Sequence, residues 1–285
     1  MTSLYDFNEL GISTRGQPTG DASNMPEEMF TISDHGTKLY LNQQIPGFHT
    51  LSTEGRELLP YKVNMTHVDG YNGNILKTAD YEDRQIKVTY LIVTDQDDPK
   101  DYRKKFAMLE HFIGVGMMQF GFYDDPDYVY EGVLSSVGQP TPGLSTTVSS
   151  FTLTCPKPFK KAINPTTVTF VNTQSFVQNE PNTPGDTATS ILATTPVEKI
   201  ELTPSNDHVK IRSSNGSTIA LSGVAGKKVE IRPQDSPANI KVDGKNKPSS
   251  LDLMSDLENF AIEPGGKITC DDGGNVSITY RKRGA

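Results

Sequence analysis

QIKVTYLIV, residues 85–93, followed after a short acidic turn by DPKDYRKKFAMLEHFIG, residues 98–114, decides the fold class. In the first run Ile86, Val88, Tyr90 and Ile92 alternate with Lys87, Thr89 and Leu91. A period of two in β-branched and aromatic residues predicts a sheet strand. In the second run Asp98 precedes a proline, so Asp98 is expected to cap a helix with Pro99 at its first position. Tyr102, Phe106, Leu109 and Ile113 fall at i, i+4, i+7 and i+11, an apolar stripe that should lie on the sheet while Arg103, Lys104 and Lys105 stay solvated. Gly114 suits the residue that ends the helix.

Working outward, Met118, Phe120 and Phe122 alternate in a strand that reaches the turn Asp124-Asp125-Pro126-Asp127, and residues 128–134 read as its hairpin partner. A Pro/Gly-rich loop at 138–143 leads to another strand over Thr146–Cys155. One helix against an antiparallel meander is an α+β arrangement. Residues 11–24 show no sustained periodicity and read as an arm.

Of 23 Phe and Tyr residues, 19 lie in 1–165, and only Phe170, Phe176, Phe260 and Tyr280 follow, which marks a change of domain. The expected organisation is an N-terminal domain over 1–162 and a C-terminal domain over 163–285. In the second, short strands are predicted at 199–202, 208–212, 217–221, 228–232, 239–242, 267–269 and 276–280, with a polar loop at 179–190. Strands at this spacing with little helix imply a β-sandwich of jelly-roll or galectin-like kind, so the chain as a whole is expected to be mainly β.

The 285 residues carry a net charge of -8, which argues against a nucleic-acid partner. Apolar residues make up 34%, and no run approaches the roughly 20 needed to span a bilayer. No signal peptide is legible at the N-terminus, so the chain is expected to stay in the cytosol where it is made, with Cys155 and Cys270 as thiols. Cys155 closes the alternation Phe151, Leu153, Cys155 and reads as a small core residue. Arg281, Lys282 and Arg283 read as a solvated tail end.

Templates for chemistry fail one after another. Asp95, Asp97, Asp98 and Asp101 resemble a calcium loop, but Pro99 and Lys100 stand where a ligand and the glycine are required. Asp124, Asp125 and Asp127 are explained by a turn between strands without acid–base work. Gly223 to Lys227 lacks the first glycine and the Ser/Thr of a phosphate loop, and Gly70 to Asn74 lacks the third glycine of a dinucleotide fingerprint. His35, His49, His67, His111 and His208 have no zinc spacing, and there is no G-x-S-x-G elbow. No catalytic, cofactor, metal or nucleic-acid residue is therefore assigned, and the chain is not expected to be an enzyme.

Taken in order, several stretches resemble the distal tail proteins of long-tailed phages that infect Gram-positive bacteria. VDGYNG (68–73) with Tyr81 and Arg84 is similar to that family's glycine-punctuated turn and tyrosine–arginine pair ahead of a strand. The helix at 102–112, FGFYDDPDYVYEGV (120–133) and FTLTCPKPF (151–159) follow, and in the second domain residues 229–243 and LDLMSDLENFAIEPGGKI (251–268) resemble the closing strands and Pro-Gly turn. Where the family commonly has Asn after the turn glycine, this chain has Gly266 and Lys267. The resemblance implies a structural protein of the virion, synthesised in the host cytoplasm. It implies a ring of six copies, alone or stacked, at the distal end of the tail tube, with the N-terminal domains in the ring. The implied partners are the tail tube protein, a tail-associated hub protein and, at the side, receptor-binding proteins. It leaves the residues of the ring interface unassigned. The alternative is a carbohydrate-binding host-recognition protein acting through the sandwich; since the chain has no Trp, such a site would need exposed rings among the four C-terminal aromatics.

Overall fold

The structure, a computed structural model, describes residues 28–70, 72–95, 98, 100–114, 116–140, 146–176, 193–235, 239–272 and 274–284. The arm at 11–24, the loop at 179–190, part of the loop at 138–143, and Tyr71, Asp97 and Pro99 lie outside the described residues. The chain divides into two compact units, one ending at Lys160 and the other running from Lys161 to Gly284.

The first unit contains β1 (Met29–Ile32), β2 (Lys38–Tyr40), the single-turn α1 (Leu41–Gln44), β3 (Phe48–Glu54), β4 (Tyr61–His67), β5 (Asn74–Tyr81), β6 (Arg84–Val93), α2 (Asp101–Ile113), β7 (Met118–Phe122), β8 (Tyr128–Val137) and β9 (Thr146–Cys155). Its main sheet has the order β2-β1-β7-β8-β9-β6-β3, with antiparallel neighbours throughout. The predicted strand is β6, which lies between β9 and the edge strand β3. β6 pairs with β9 over ten residues, from Arg84 opposite Cys155 to Val93 opposite Thr146. Opposed residues share a face, so Ile86 with Leu153 and Val88 with Phe151 form a fully buried layer. Gly121 on β7 is required by this packing: a Cβ there would stand 2.5 Å from the Phe30 ring and 2.7 Å from the Tyr128 carbonyl oxygen.

The helix is where the spacing placed it, but it starts later and packs less fully than expected. Asp98 is not its cap. The Asp98 carboxylate accepts from the Lys100 N–H at 2.9 Å, closing an Asx turn ahead of the helix, and Lys100 occupies the cap position. Of the predicted stripe, Leu109 and Ile113 are buried on the sheet, worth about 1.5–3 kcal/mol each. Tyr102 and Phe106 are only half-buried. Lys105 is not solvated: its Nζ reaches Asp101 at 2.8 Å and donates to the Val93 carbonyl at 2.6 Å, tying the helix to the end of β6. Gly114 ends the helix, its N–H donating to the Glu110 carbonyl at 2.7 Å.

A short strand β10 (Lys160–Ala162) lies where the two units divide. The second unit contains β11 (Thr166–Val171), β12 (Thr173–Ser175), β13 (Thr195–Leu202), β14 (His208–Ser213), β15 (Thr218–Ser222), β16 (Val229–Arg232), β17 (Asn239–Val242), β18 (Lys245–Asn246), β19 (Ala261–Ile262), β20 (Lys267–Cys270), β21 (Asn275–Tyr280) and β22 (Arg283–Gly284). One sheet runs β11-β21-β13-β16-β17-β18 and the other β12-β20-β14-β15. Their alternating inward residues, such as Ile200, Ile231 and Ile278 from one and Ile211, Ile219 and Ile268 from the other, join a single core. This is the sandwich that the strand spacing predicted. The basic residues near its end are a correction. Arg281 is not solvated tail: it pairs with Glu198 at 2.9 Å and donates to the Ile163 carbonyl, and Arg283 donates to the Thr194 carbonyl.

Candidate assembly surface

Residues 61–81 do something that the rest of the first unit does not. Among the described residues β4 and β5 pair only with each other, as a two-stranded ribbon. Tyr61, Val63, Met65 and His67 follow the alternation of β4 and so share one face. Their opposite numbers are Tyr81, Ala79, Leu76 and Asn74. The register shifts between Asn64 and Met65, leaving Lys77 as an extra residue. That bulge brings Leu76, and not Lys77, opposite Met65, so the ribbon gains a continuous apolar face from Tyr61 to Leu76. Lys62, Asn64 and Thr66, opposite Asp80, Thr78 and Ile75, make the other face largely polar.

Beyond the root at Tyr81, nothing among the described residues covers this apolar face. Tyr61, Val63, Met65 and Leu76 are 52–56% exposed, against 0% for Ile86 and Val88 in the neighbouring strand. Solvent-exposed apolar side chains scattered singly are ordinary, but a contiguous set along one face marks an interaction surface. Both outer edges of the ribbon also carry unpaired backbone groups.

The root is held firmly. Tyr61 and Tyr81 stack at 4.2 Å, and Tyr81 meets Phe159 edge-on at 4.9 Å. The Tyr61 hydrogen bond raises the Tyr81 phenol above its ordinary range. Lys62 pairs with Glu82. Just before the ribbon, the Arg56 guanidinium lies 4.1 Å from the Phe122 ring and 2.6 Å from Asp124. Just after it, buried Arg84 donates to the Arg56 carbonyl and to the Tyr130 hydroxyl, both at 3.2 Å.

A second feature that no described residue covers lies beside α2. Tyr102, Phe106 and Ile113 of the helix, Leu134 and Val137 of β8 and Phe151 of β9 line an open, mainly apolar groove of about 600 Å³. This groove is why the helix stripe is half-buried at its N-terminal end. Arg103 and Glu110 stand on its helical rim.

The residues tested for chemistry are used structurally. Asp124 holds Arg56 and Asp125 holds Lys160 at 2.7 Å. Asp101 is paired with Lys105 and accepts from the Asp95 N–H at 2.9 Å. Lys227 turns back onto the Gly223 carbonyl at 2.7 Å, closing its own loop. Burial pushes the Cys155 thiol up to about 12, which keeps it protonated and unreactive. Among the described residues no group of His, Cys, Asp and Glu could hold a metal ion, and no helix is long and apolar enough to cross a membrane. Phe170, Phe176, Phe260 and Tyr280 are all buried, so none presents a ring on which a sugar could stack.

The ribbon is the feature that the sequence reading did not isolate. The turn between its strands holds Gly70 and Gly73 at φ of 83° and 110°. The alternation of Tyr61, Val63 and Met65 signals β4, but the bulge breaks the period in β5 and hides Leu76 from a pattern search.

Residues 189–283 match the C-terminal domain model of the siphovirus-type tail component family, SPP1_Dit. The match lies within the second unit. The chain also superposes over most of its length on the SPP1 Dit protein, a paradigm of the hub adsorption apparatus in phages infecting Gram-positive bacteria. The TM-score is 0.67 at 14% identity, over 90% of this chain and 99% of that one. A chain of the phage P2 baseplate in its activated conformation aligns over 91% of this chain and 98% of its own, at 10% identity and a TM-score of 0.46. A search of the curated proteins by sequence finds no match. Residues 189–283 thus resemble the siphovirus-type tail component family, and the fold of the chain is similar to that of the SPP1 Dit protein.

Proposed function

We propose that the chain is a structural adaptor at the distal end of a phage tail. Six copies close into a ring through their N-terminal domains, here bounded at about residue 162, and the sandwich domains project from it. The ring joins the tail tube to a tail-associated hub protein and to the host-adsorption apparatus, within the virion.

The observation that carries this reading is the bare apolar ribbon in a chain of this family. Its exposed face is a surface that a monomer has no use for. A ring requires heterologous contacts, in which one patch of a subunit meets a different patch of the next, and the first unit offers two unlike uncovered surfaces. The recognised kinship with hub and baseplate proteins supports a structural and not a catalytic role.

Light scattering of the purified chain tests it, with negative-stain micrographs to count subunits. The expected result is a closed ring of six, single or stacked. A chain that stays monomeric at the highest workable concentration, and in the presence of tail tube protein, contradicts the proposal. A sugar-binding role gains no support from the sandwich, because its four aromatic rings are in the core.

A further inference from the structure

We infer that β11, an open edge of the sandwich, pairs with β11 of a second copy, antiparallel and with Thr169 opposite Thr169. The second units of the two copies then share one continuous sheet. The inference concerns the second unit alone and does not depend on how the first units assemble.

The edges of the sandwich are treated unequally. β12 has three residues and β18 has two, one of them Lys245. Strands so short, or carrying lysine, are poor templates for a partner. β15 is covered by its own chain: the Asp252 and Asp256 N–H groups donate to the Ala220 and Thr218 carbonyls at 2.9 and 2.8 Å, and the Ala220 N–H donates to Ser255 Oγ at 2.9 Å. β11 has none of these protections. Its six residues, TTVTFV, include no charge and no proline, and they run without a bulge from Thr166 opposite Tyr280 to Val171 opposite Asn275. Among the described residues no strand pairs with its other side. Alternate residues of an edge strand turn N–H and C=O outward, so this edge is a template for a further strand.

The strand itself selects the occupant. Opposed residues of an antiparallel pair share a face. Val168 and Phe170 lie opposite Ile278 and Val276 and face the core, whereas Thr167, Thr169 and Val171 are exposed. With Thr169 on the two-fold axis, Val168 of each copy meets Phe170 of the other on the inner face, and Thr167 meets Val171 on the outer one. Val168, only partly buried at the rim of the core, is thereby covered. On the outer face Thr169 already shares a hydrogen bond with Ser277 at 2.7 Å, and the second copy extends that hydroxyl row across the axis. A charged strand would find no counter-charge along this edge, and an identical strand brings none to bury.

The contact is small. Six residues make about 20 Å of strand, well short of a standard interface, so the pair forms reversibly and with rising concentration.

Cross-linking in the full-length chain tests the register. Thr169→Cys brings two thiols to directly opposed positions, within the Cα separation of roughly 4.4–6.8 Å that a disulfide spans, so oxidation should link two copies. Thr167→Cys places its thiols more than about 13 Å apart and should give no link. Cys155 and Cys270 are buried and contribute nothing. Sedimentation of unoxidised protein tests the pairing by charge. As concentration rises, the wild-type chain should double in mass from whatever species it forms when dilute. Thr169→Lys and Thr169→Glu should each lose that doubling, because like charges meet at the axis, and an equimolar mixture of the two should regain it. Thr169 is exposed, so both variants should melt as the parent chain does.

A wild-type chain that never doubles overturns the β11 pairing, as does a link at Thr167→Cys in preference to Thr169→Cys. Doubling that persists in Thr169→Lys, or a Lys/Glu mixture that fails to recover it, overturns the pairing too. An assembly that keeps its ring size but never doubles overturns the pairing and leaves the ring reading standing.

Discussion

β6 and the β4–β5 ribbon are next to each other in the chain and are written in the same style, apolar residues alternating with polar ones, yet they end in opposite environments. In β6 the apolar face is packed in one core with side chains of β9 and α2 and with the rings of Phe48 and Phe151, and Ile86, Val88 and Ile92 are at 0% exposure. In the ribbon the same kind of face stands half open. Alternation states that a surface wants covering. It does not state whether the cover belongs to the same chain.

The contrast can be broken by truncating each face in turn. The largest effect is expected at Phe151→Ala in the core layer, a loss of about 3–5 kcal/mol of stability in denaturant unfolding. Were a ribbon truncation to match it, the ribbon would be ordinary core and the distinction would fail.

The buried side of the comparison should also feel pH. Glu28, just ahead of β1, is buried and accepts from the Thr50 N–H and hydroxyl at 3.3 Å. Burial pushes its carboxyl up from 4.5 to about 7. A pKa raised on folding favours the protonated native state, so the stability linked to Glu28 is full below about pH 4.5 and is lost as pH rises through about 7. Glu28→Gln should flatten that slope and gain up to about 3 kcal/mol above pH 7, read from melting curves at pH 5 and pH 8.

Gly121→Ala sharpens the comparison through packing, since the new methyl group meets Phe30 and the Tyr128 carbonyl. A loss of about 1–3 kcal/mol is expected in thermal unfolding. The smallest effect on folding belongs to the ribbon: Val63→Ser with Leu76→Ser should shift monomer stability by no more than about 0.5 kcal/mol, while sedimentation shows assembly lost.

Much of this fold was legible before any coordinates. The runs 85–93 and 146–155 declare themselves because their partners lie in the same chain and their periods are unbroken. The helix stripe was legible too, although its start was misplaced because Asp98 bonds to the Lys100 amide instead of capping the first turn. The candidate site was far less so. Leu76 joins Met65 only through a bulge, and a bulge shifts the period without leaving a composition signal. The groove was invisible for another reason: Tyr102, Phe106 and Val137 come from separate elements, and only packing shows that nothing fills the space between them.

The clamp at the ribbon's root has a mechanical meaning. Arg84 donates to the Arg56 carbonyl across the two ends of the ribbon, and Gly55 sits so close to Gln85 that a Cβ would come within 2.0 Å of its carbonyl oxygen. The ribbon is thus a lever with a fixed fulcrum. Its direction is settled when the chain folds, so little freedom of orientation remains to be surrendered on binding any partner.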